Sequence, residues 1–150
     1  MDLRPYENTD RDPCLAVFKS NIPRFFHPAE LDEFVNFLKS PSGVYLVMEH
    51  EGETVGCGGY AVIDGSSVAR LVWGMVRSDL HSMGLGRFLL LYRLRAIAKI
   101  SGIETVRIQT SQHSAPFFAK QGFKIVEVLE DGFAKGLDRV EMTMRIVVCA

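Results

Sequence analysis

The stretch His81-Ser-Met-Gly84-Leu-Gly86-Arg87 has the residue types and the setting to hold an anion. An apolar run, Leu71-Val-Trp-Gly-Met-Val76, precedes it, and a run with helical spacing, Phe88 to Gly102, follows. The layout is strand, glycine turn, helix. Backbone N–H groups at a helix start lack intrahelical partners, and the helix dipole adds partial positive charge there. Glycines let a phosphate or pyrophosphate approach that backbone closely. Two familiar phosphate loops do not fit: a dinucleotide fingerprint needs glycine where Leu89 stands, and a P-loop needs Lys-Ser/Thr where Arg87-Phe88 follow Gly86. His81 is either a plain loop residue or a phosphate-facing group. Arg87 is a cation at a helix start, which the dipole disfavours unless an anion is near.

Two other segments carry chemistry. Ser111-Gln-His-Ser-Ala-Pro-Phe-Phe-Ala-Lys-Gln-Gly-Phe123 includes His113, either a proton carrier, a role to which imidazoles are suited, or a helix-start polar group. Arg24-Phe-Phe-His27 puts two aromatics in a loop, as anchors to the core or as a pocket wall. Glu30, just after it, is a first-turn helix acid or a ligand for a cationic amine.

The elements that must position these residues follow from spacing. Leu3–Tyr6 is a short first strand, with Pro5 suiting an edge. Asp10–Lys19 and Pro28–Lys39 are helices, the second carrying Leu31, Phe34, Val35 and Leu38 on one face. Val44–Glu49, Thr54–Ile63 and Val68–Val76 are strands joined by short turns. Gly56, Gly58 and Gly59 weaken the middle one unless a bulge or a close contact is needed there. After the glycine turn, Leu85, Leu89, Tyr92, Ala96 and Ile100 form the predicted apolar stripe of a helix, with Arg87, Arg93, Arg95 and Lys99 at polar positions. Glu104–Gln109 is a strand, so strand, helix, strand implies a parallel pair. Ser111–Lys120 is a short helix. Lys124–Leu129 and Arg139–Ile146 are strands, the second with Val140, Met142, Met144 and Ile146 inward, and Glu130–Gly136 is a loop between them. No repeat or linker appears, so residues 1–150 are expected to form one domain.

The composition sets outer bounds. The 150 residues are 47% hydrophobic, enough for a proper core. A net charge of −1 argues against nucleic acid or an anionic membrane as the main partner. No apolar run reaches membrane-spanning length, and Met-Asp-Leu-Arg-Pro-Tyr lacks the pattern of a signal peptide. Cys14, Cys57 and Cys149 are odd in number and lack metal spacing, which points to reduced thiols, a cytoplasmic location and no metal site.

The order β-α-α-β-β-β-(Gly loop)-α-β-α-β-β resembles the GNAT superfamily of acyl-CoA N-acyltransferases along essentially the whole chain. His81-Ser-Met-Gly84-Leu-Gly86 is similar to that family's Gln/Arg-x-x-Gly-x-Gly/Ala loop, with His81 in the Gln/Arg place. Ser111–Phe123 is similar to its Asn-x-x-Ala-x-x-Phe/Leu-Tyr-x-x-x-Gly-Phe segment through Phe117, Gly122 and Phe123. Three places depart from it. Ser111 stands for the Asn, Phe118 for the Tyr that often protonates the CoA thiolate, and Arg70 for a Glu that many relatives use as general base.

The resemblance implies an α+β fold: a mixed, mostly antiparallel sheet with a central parallel pair splayed at strands four and five, flanked by about four helices. It implies acetyl-CoA in that splay, with backbone groups of Gly74, Met75 and Val76 pairing with the pantetheine. N–H groups from Met83, Gly84, Leu85, Gly86 and Arg87 would then hold the pyrophosphate beside His81, with Ser111, Phe117 and Phe118 also on the CoA side. The acceptor, a primary amine of a small molecule or peptide, is expected near Phe25, Phe26 and Glu30. His113 becomes the candidate proton donor. The expected reaction is direct acetyl transfer; the alternative is an acyl-CoA-binding sensor or regulatory module of the same fold. Exposed edge strands allow a homodimer.

Overall fold

The structure, a computed structural model, describes residues 1–146, so Cys149 lies outside the described residues. Asp2–Pro5 forms strand β1, and Arg11–Ser20 and Leu31–Lys39 form helices α1 and α2. Strands β2 (Val44–His50), β3 (Glu53–Val62) and β4 (Val68–Val76) follow as a meander. Helix α3 (Leu85–Ala98) leads to β5 (Thr105–Thr110), then come α4 (Ala115–Lys120), β6 (Lys124–Ala134) and β7 (Leu137–Arg145). The seven strands make one sheet in the order β1-β2-β3-β4-β5-β7-β6. Among the described residues only β4 and β5 run parallel. This is the α+β arrangement expected from the element order.

Alternation along each strand sorts the two layers. Tyr45, Val47 and Cys57 bury with Phe18, Phe34 and Leu38 of α1 and α2. Met48, next to Val47, buries instead with Leu85 and Leu89 of α3, as does Val55, which lies at the register shift between β2 and β3. Farther along, Ala69, Val106 and Ile108 pack with Leu90 and Ile97 of α3 and Phe118 of α4. So α1 and α2 cover one face of the sheet, and α3 and α4 the other. Each fully buried Phe or Leu contributes about 1.5–3 kcal/mol through removed apolar area.

Two expectations need correction. The buried face of α3 is Leu85, Leu89, Leu90, Arg93 and Ile97, whereas Tyr92 is exposed. The buried face is rotated from the apolar stripe because Arg93, though charged, turns inward against Gly58 and Gly74. Of the segment Glu130–Gly136 just Lys135-Gly136 is a turn: β6 extends through the rest to Ala134, with an irregular register between Leu129 and Ala134. Asp131, at φ +54, absorbs that irregularity. Strand β6 is a sheet edge and leaves Ile125, Val126, Val128 and Leu129 exposed.

A charge cluster ties the chain start to the sheet. Arg4 donates from Nη1 and Nη2 to the two oxygens of buried Asp10, at 2.8 and 2.7 Å, and its Nε bonds Glu49. The Glu7 N–H also donates to Asp10, at 2.8 Å. The bond from Arg4 holds the Asp10 carboxyl below the usual range. A depressed carboxyl stabilises the fold above its unfolded pKa, and that contribution is lost as pH falls through the lower folded value. Asp10→Asn is therefore expected to lower the unfolding free energy at pH 7 by about 1–3 kcal/mol. It should also remove part of the stability loss expected of the wild type below about pH 4. Urea titrations across that range check it, and an unchanged midpoint at pH 7 would refute it.

Candidate active site

The parallel pairing of β4 and β5 lasts for three residues, Val68 to Arg70 against Thr105 to Arg107. Beyond it β4 continues to Val76 and β5 to Thr110 without pairing to each other, so the strands part and a cleft of about 640 Å³ opens between them. Strand β4 deforms as it leaves its partner. Cys57 pairs with Met75 and Gly59 with Val72, so Trp73 and Gly74 stand opposite the single residue Gly58. That is a β-bulge, and Trp73 takes φ +42, a value that bulky residues adopt only under tertiary constraint. Trp73 is held by its ring neighbours: centroids of Phe34 and Phe26 lie 5.0 and 6.2 Å away. Its carbonyl accepts from the Tyr45 hydroxyl at 2.8 Å.

The glycines flagged in β3 serve this bulge. Arg93, only 3% exposed, extends from α3 beneath them and donates from Nη1 to the Gly59 carbonyl at 3.3 Å. A Cβ on Gly74 would lie 2.8 Å from Nη2 of Arg93, and one on Gly58 3.3 Å from Nη1. The glycines therefore make the room that the guanidinium fills. Burial pushes that guanidinium down to about 10, so it remains a cation at neutral pH. Sequence reasoning missed it, and the glycine-rich strand opposite was the only signal.

At one end of the cleft, a 3₁₀ turn (Ser78–Met83) leads into Gly84, which takes φ +77 and starts α3. A Cβ at Gly84 would meet nothing within 4 Å, so the backbone here faces open space. Gly86, Arg87 and Phe117 line the same end, Leu85 is buried beneath, and Met83 is exposed. Phe117 lies in ordinary contact distance of a Gly86 Cβ, at 3.6 Å. Helix α3 thus begins at this open end of the cleft, with the first-turn N–H groups that a helix start leaves without intrahelical partners.

A match to the model of the Acetyltransferase (GNAT) family runs over residues 12–123, most of the chain and both of its motifs. The chain belongs to this family. Its fold is that of a GNAT-family protein from Desulfovibrio desulfuricans, at 20% identity and TM-score 0.81 over 97% of this chain and 99% of that one. It is also that of the Escherichia coli ribosomal-protein-S18-alanine N-acetyltransferase, at 16% identity and TM-score 0.80 over 99% and 96%. An aminoglycoside 6′-N-acetyltransferase solved with coenzyme A matches at 18% identity and TM-score 0.77 over 100% and 99%. No curated sequence matches the chain.

In this GNAT cleft most of the expected site residues come together, with two changes. The Val76 carbonyl, expected among the pantetheine-pairing groups, is already taken: it accepts from Asn21 Nδ2 at 3.0 Å and faces His81 Nε2 at 2.9 Å. Gly74 and the remaining edge groups are what the splay leaves available. His81 is therefore turned into its own loop, its ring edge-on to Phe25 at 4.9 Å, and only Nδ1 is left for a ligand. Asn21, buried at the end of α1, was not singled out from the sequence; it also donates to Val17 and so fixes α1 to the end of β4.

Across the cleft, Phe25 is 6.3 Å from His113, and Phe26 stacks on Phe18 at 4.7 Å. Phe26 is thus both anchor and wall. Buried Glu30 accepts from the His27 N–H at 2.8 Å while lining the cleft, and burial pushes its carboxyl up. Ser111 is buried, with its Oγ facing the His113 N–H at 3.3 Å. Phe118 is a core ring against Phe117 and Phe123 and borders the same cavity. Among the described residues no group of His, Cys, Asp and Glu is arranged to hold a metal. No helix among them is long and apolar enough to cross a membrane.

Proposed function

We propose that this chain transfers an acetyl group from acetyl-CoA directly to a primary amine of a small molecule or peptide. The observation that carries the reading is the unpaired edge of β4, running from its bulge to the open Gly84 cradle at the start of α3. The cradle suits a pyrophosphate, and Met83 to Arg87 supply its N–H donors. The edge of β4 around Gly74 suits the amides of a pantetheine arm. Bound acetyl-CoA supplies an acyl group activated as a thioester. The chain's own task is to hold the amine near it, support the developing oxyanion with a β4 N–H, and move protons.

Proton movement is where this chain departs from its relatives. Phe118 has no hydroxyl, and His113, which lines the cleft facing Phe25, is the proposed donor of a proton to the leaving thiolate. A thiol has a reference pKa near 8.5, so departure without a dedicated acid is slowed rather than forbidden. His113→Ala is expected to lower kcat several-fold, at the low end of general-acid effects, and to remove one limb of the pH profile. An unchanged kcat and profile would leave that proton to solvent.

The reading as a whole is tested by calorimetry with CoA and by thioester consumption over a panel of amines. Absence of CoA binding would overturn it. CoA binding without turnover would instead support a sensor or regulatory module, which Phe118 and Arg70, standing where relatives carry catalytic groups, favour. The sheet ends in two edge strands, β1 and β6, and such edges allow a homodimer.

A further inference from the structure

The acceptor half of the cleft carries a charge pattern that specifies more than an amine. Ala69 and Val106 pair across β4 and β5 and both bury against α3 and α4. Their neighbours Arg70 and Arg107, partners in the same register, therefore project to the other face, where both line the cleft. Two cations side by side across strands repel, which disfavours the pairing unless an anion joins them. Arg107 has a loose partner, with Nε 3.6 Å from Glu141 Oε1. Arg70 is exposed and makes no ion pair among the described residues.

The opposite charge lies at the other end. Glu30 and Glu33, at the N-terminal end of α2, line the cleft near Phe26 and the bulge. Arg70 lies at the C-terminal end of α2: a Cβ on Gly43, just past that helix, would come 2.8 Å from Cβ of Ala61, the partner of Arg70 on β3. From Arg70 to Trp73 is three residues, about 10 Å along a strand. The acceptor half thus runs from an acidic end beside the bulge to a basic end one short peptide away.

We propose that Arg70 and Arg107 form a carboxylate-binding fork, and that the acceptor is an amine carrying a carboxylate two or three residue lengths from the reacting nitrogen. This rests on the acyltransfer reading above and names its acceptor class. Two or three extended residues span about 7–10 Å, the length required. Arg70 and Arg107 set against Glu141 leave one positive charge, which matches a monoanion. The fork geometry of guanidinium suits a carboxylate. A polycationic amine would instead bring a cation against Arg70, a repulsion that selects against such acceptors.

Glycylglycylglycine and its C-terminal amide test this, since they differ only in that carboxylate. The acid is expected to react with a kcat/KM about tenfold or more above the amide, near 1.4 kcal/mol. Arg70→Gln should bring that ratio close to one, Arg70→Glu should invert it, and Arg70→Lys should keep part of it. Arg70 is exposed, so these variants are expected to fold, which thermal melts verify. Equal use of acid and amide by the wild type, or a ratio unchanged by Arg70→Gln, would overturn the fork. Calorimetry of the same two peptides on the CoA-loaded protein reads the fork without turnover. Selective binding of the acid with no thioester consumed would sink the transfer reading and leave the fork standing. Equal affinities would remove the fork even in an active enzyme.

Discussion

Gly84→Val is expected to abolish most CoA binding while leaving a folded protein. Two features of this glycine lead there. It holds φ +77, a region that costs a β-branched residue about 1–2 kcal/mol. A Cβ there meets nothing within 4 Å, so the substitution strains the turn without colliding with the protein. The space it invades is the cradle at the start of α3, where a phosphate needs the backbone uncovered. The expected loss is well over tenfold in CoA affinity, more than about 1.4 kcal/mol. Gly65→Val is the matched control, because Gly65 has φ +69 and an equally open surrounding outside the cleft. It should lose similar stability and bind CoA normally. Calorimetry on both variants decides: unchanged affinity in folded Gly84→Val would remove the pyrophosphate from this turn.

Legibility in the sequence divides along the same line between local and distant causes. The order of strands and helices was readable because turn residues such as Asp64-Gly65 and Ser40-Pro-Ser-Gly43 interrupt clear apolar periods. The Gly84 turn was readable because its strand, glycine and helix neighbours are contiguous. Arg93 was not, since an arginine is buried here only because Gly58 and Gly74, distant in sequence, vacate its space. The φ of Trp73 has no local sign either; it results from an aromatic cage drawn from α1, α2 and the Phe25-Phe26 loop. Asn21 and His81 converge on one carbonyl from 55 and 5 residues away, and spacing cannot reveal such a meeting. Glu130–Gly136 reads as a loop for the opposite reason, because its two glycines and its acids belong to an irregular hairpin. Phe25, Phe26, Glu30 and His113 were all singled out from the sequence, and the fold brings them to one cleft.

Gly59→Ala is expected to act oppositely to Gly84→Val, by damaging the fold and the site together. Gly59 lies on β3 opposite Tyr45, at the end of the bulge register. A Cβ there would collide with the Val44 carbonyl oxygen and come 2.8 Å from Cδ1 and 3.0 Å from Cα of Tyr45. All three are backbone or a ring whose hydroxyl is committed to the Trp73 carbonyl, so no flexible tip can yield. Strands β2 and β3 must therefore separate locally, which costs ladder bonds and core contact at once. A loss of about 4 kcal/mol or more is expected, at the severe end for one substitution. Against a total stability of about 5–15 kcal/mol, that is a large fraction. The displacement also reaches the site, because Tyr45 braces the bulge and the Gly59 carbonyl accepts from Arg93. Transfer activity at 25 °C should then fall further than the folded fraction alone accounts for. Denaturant titration alongside activity separates the two: a midpoint shift worth less than about 1 kcal/mol would mean that β2 and β3 have slack at this crossing, which the tight Gly59–Tyr45 approach denies.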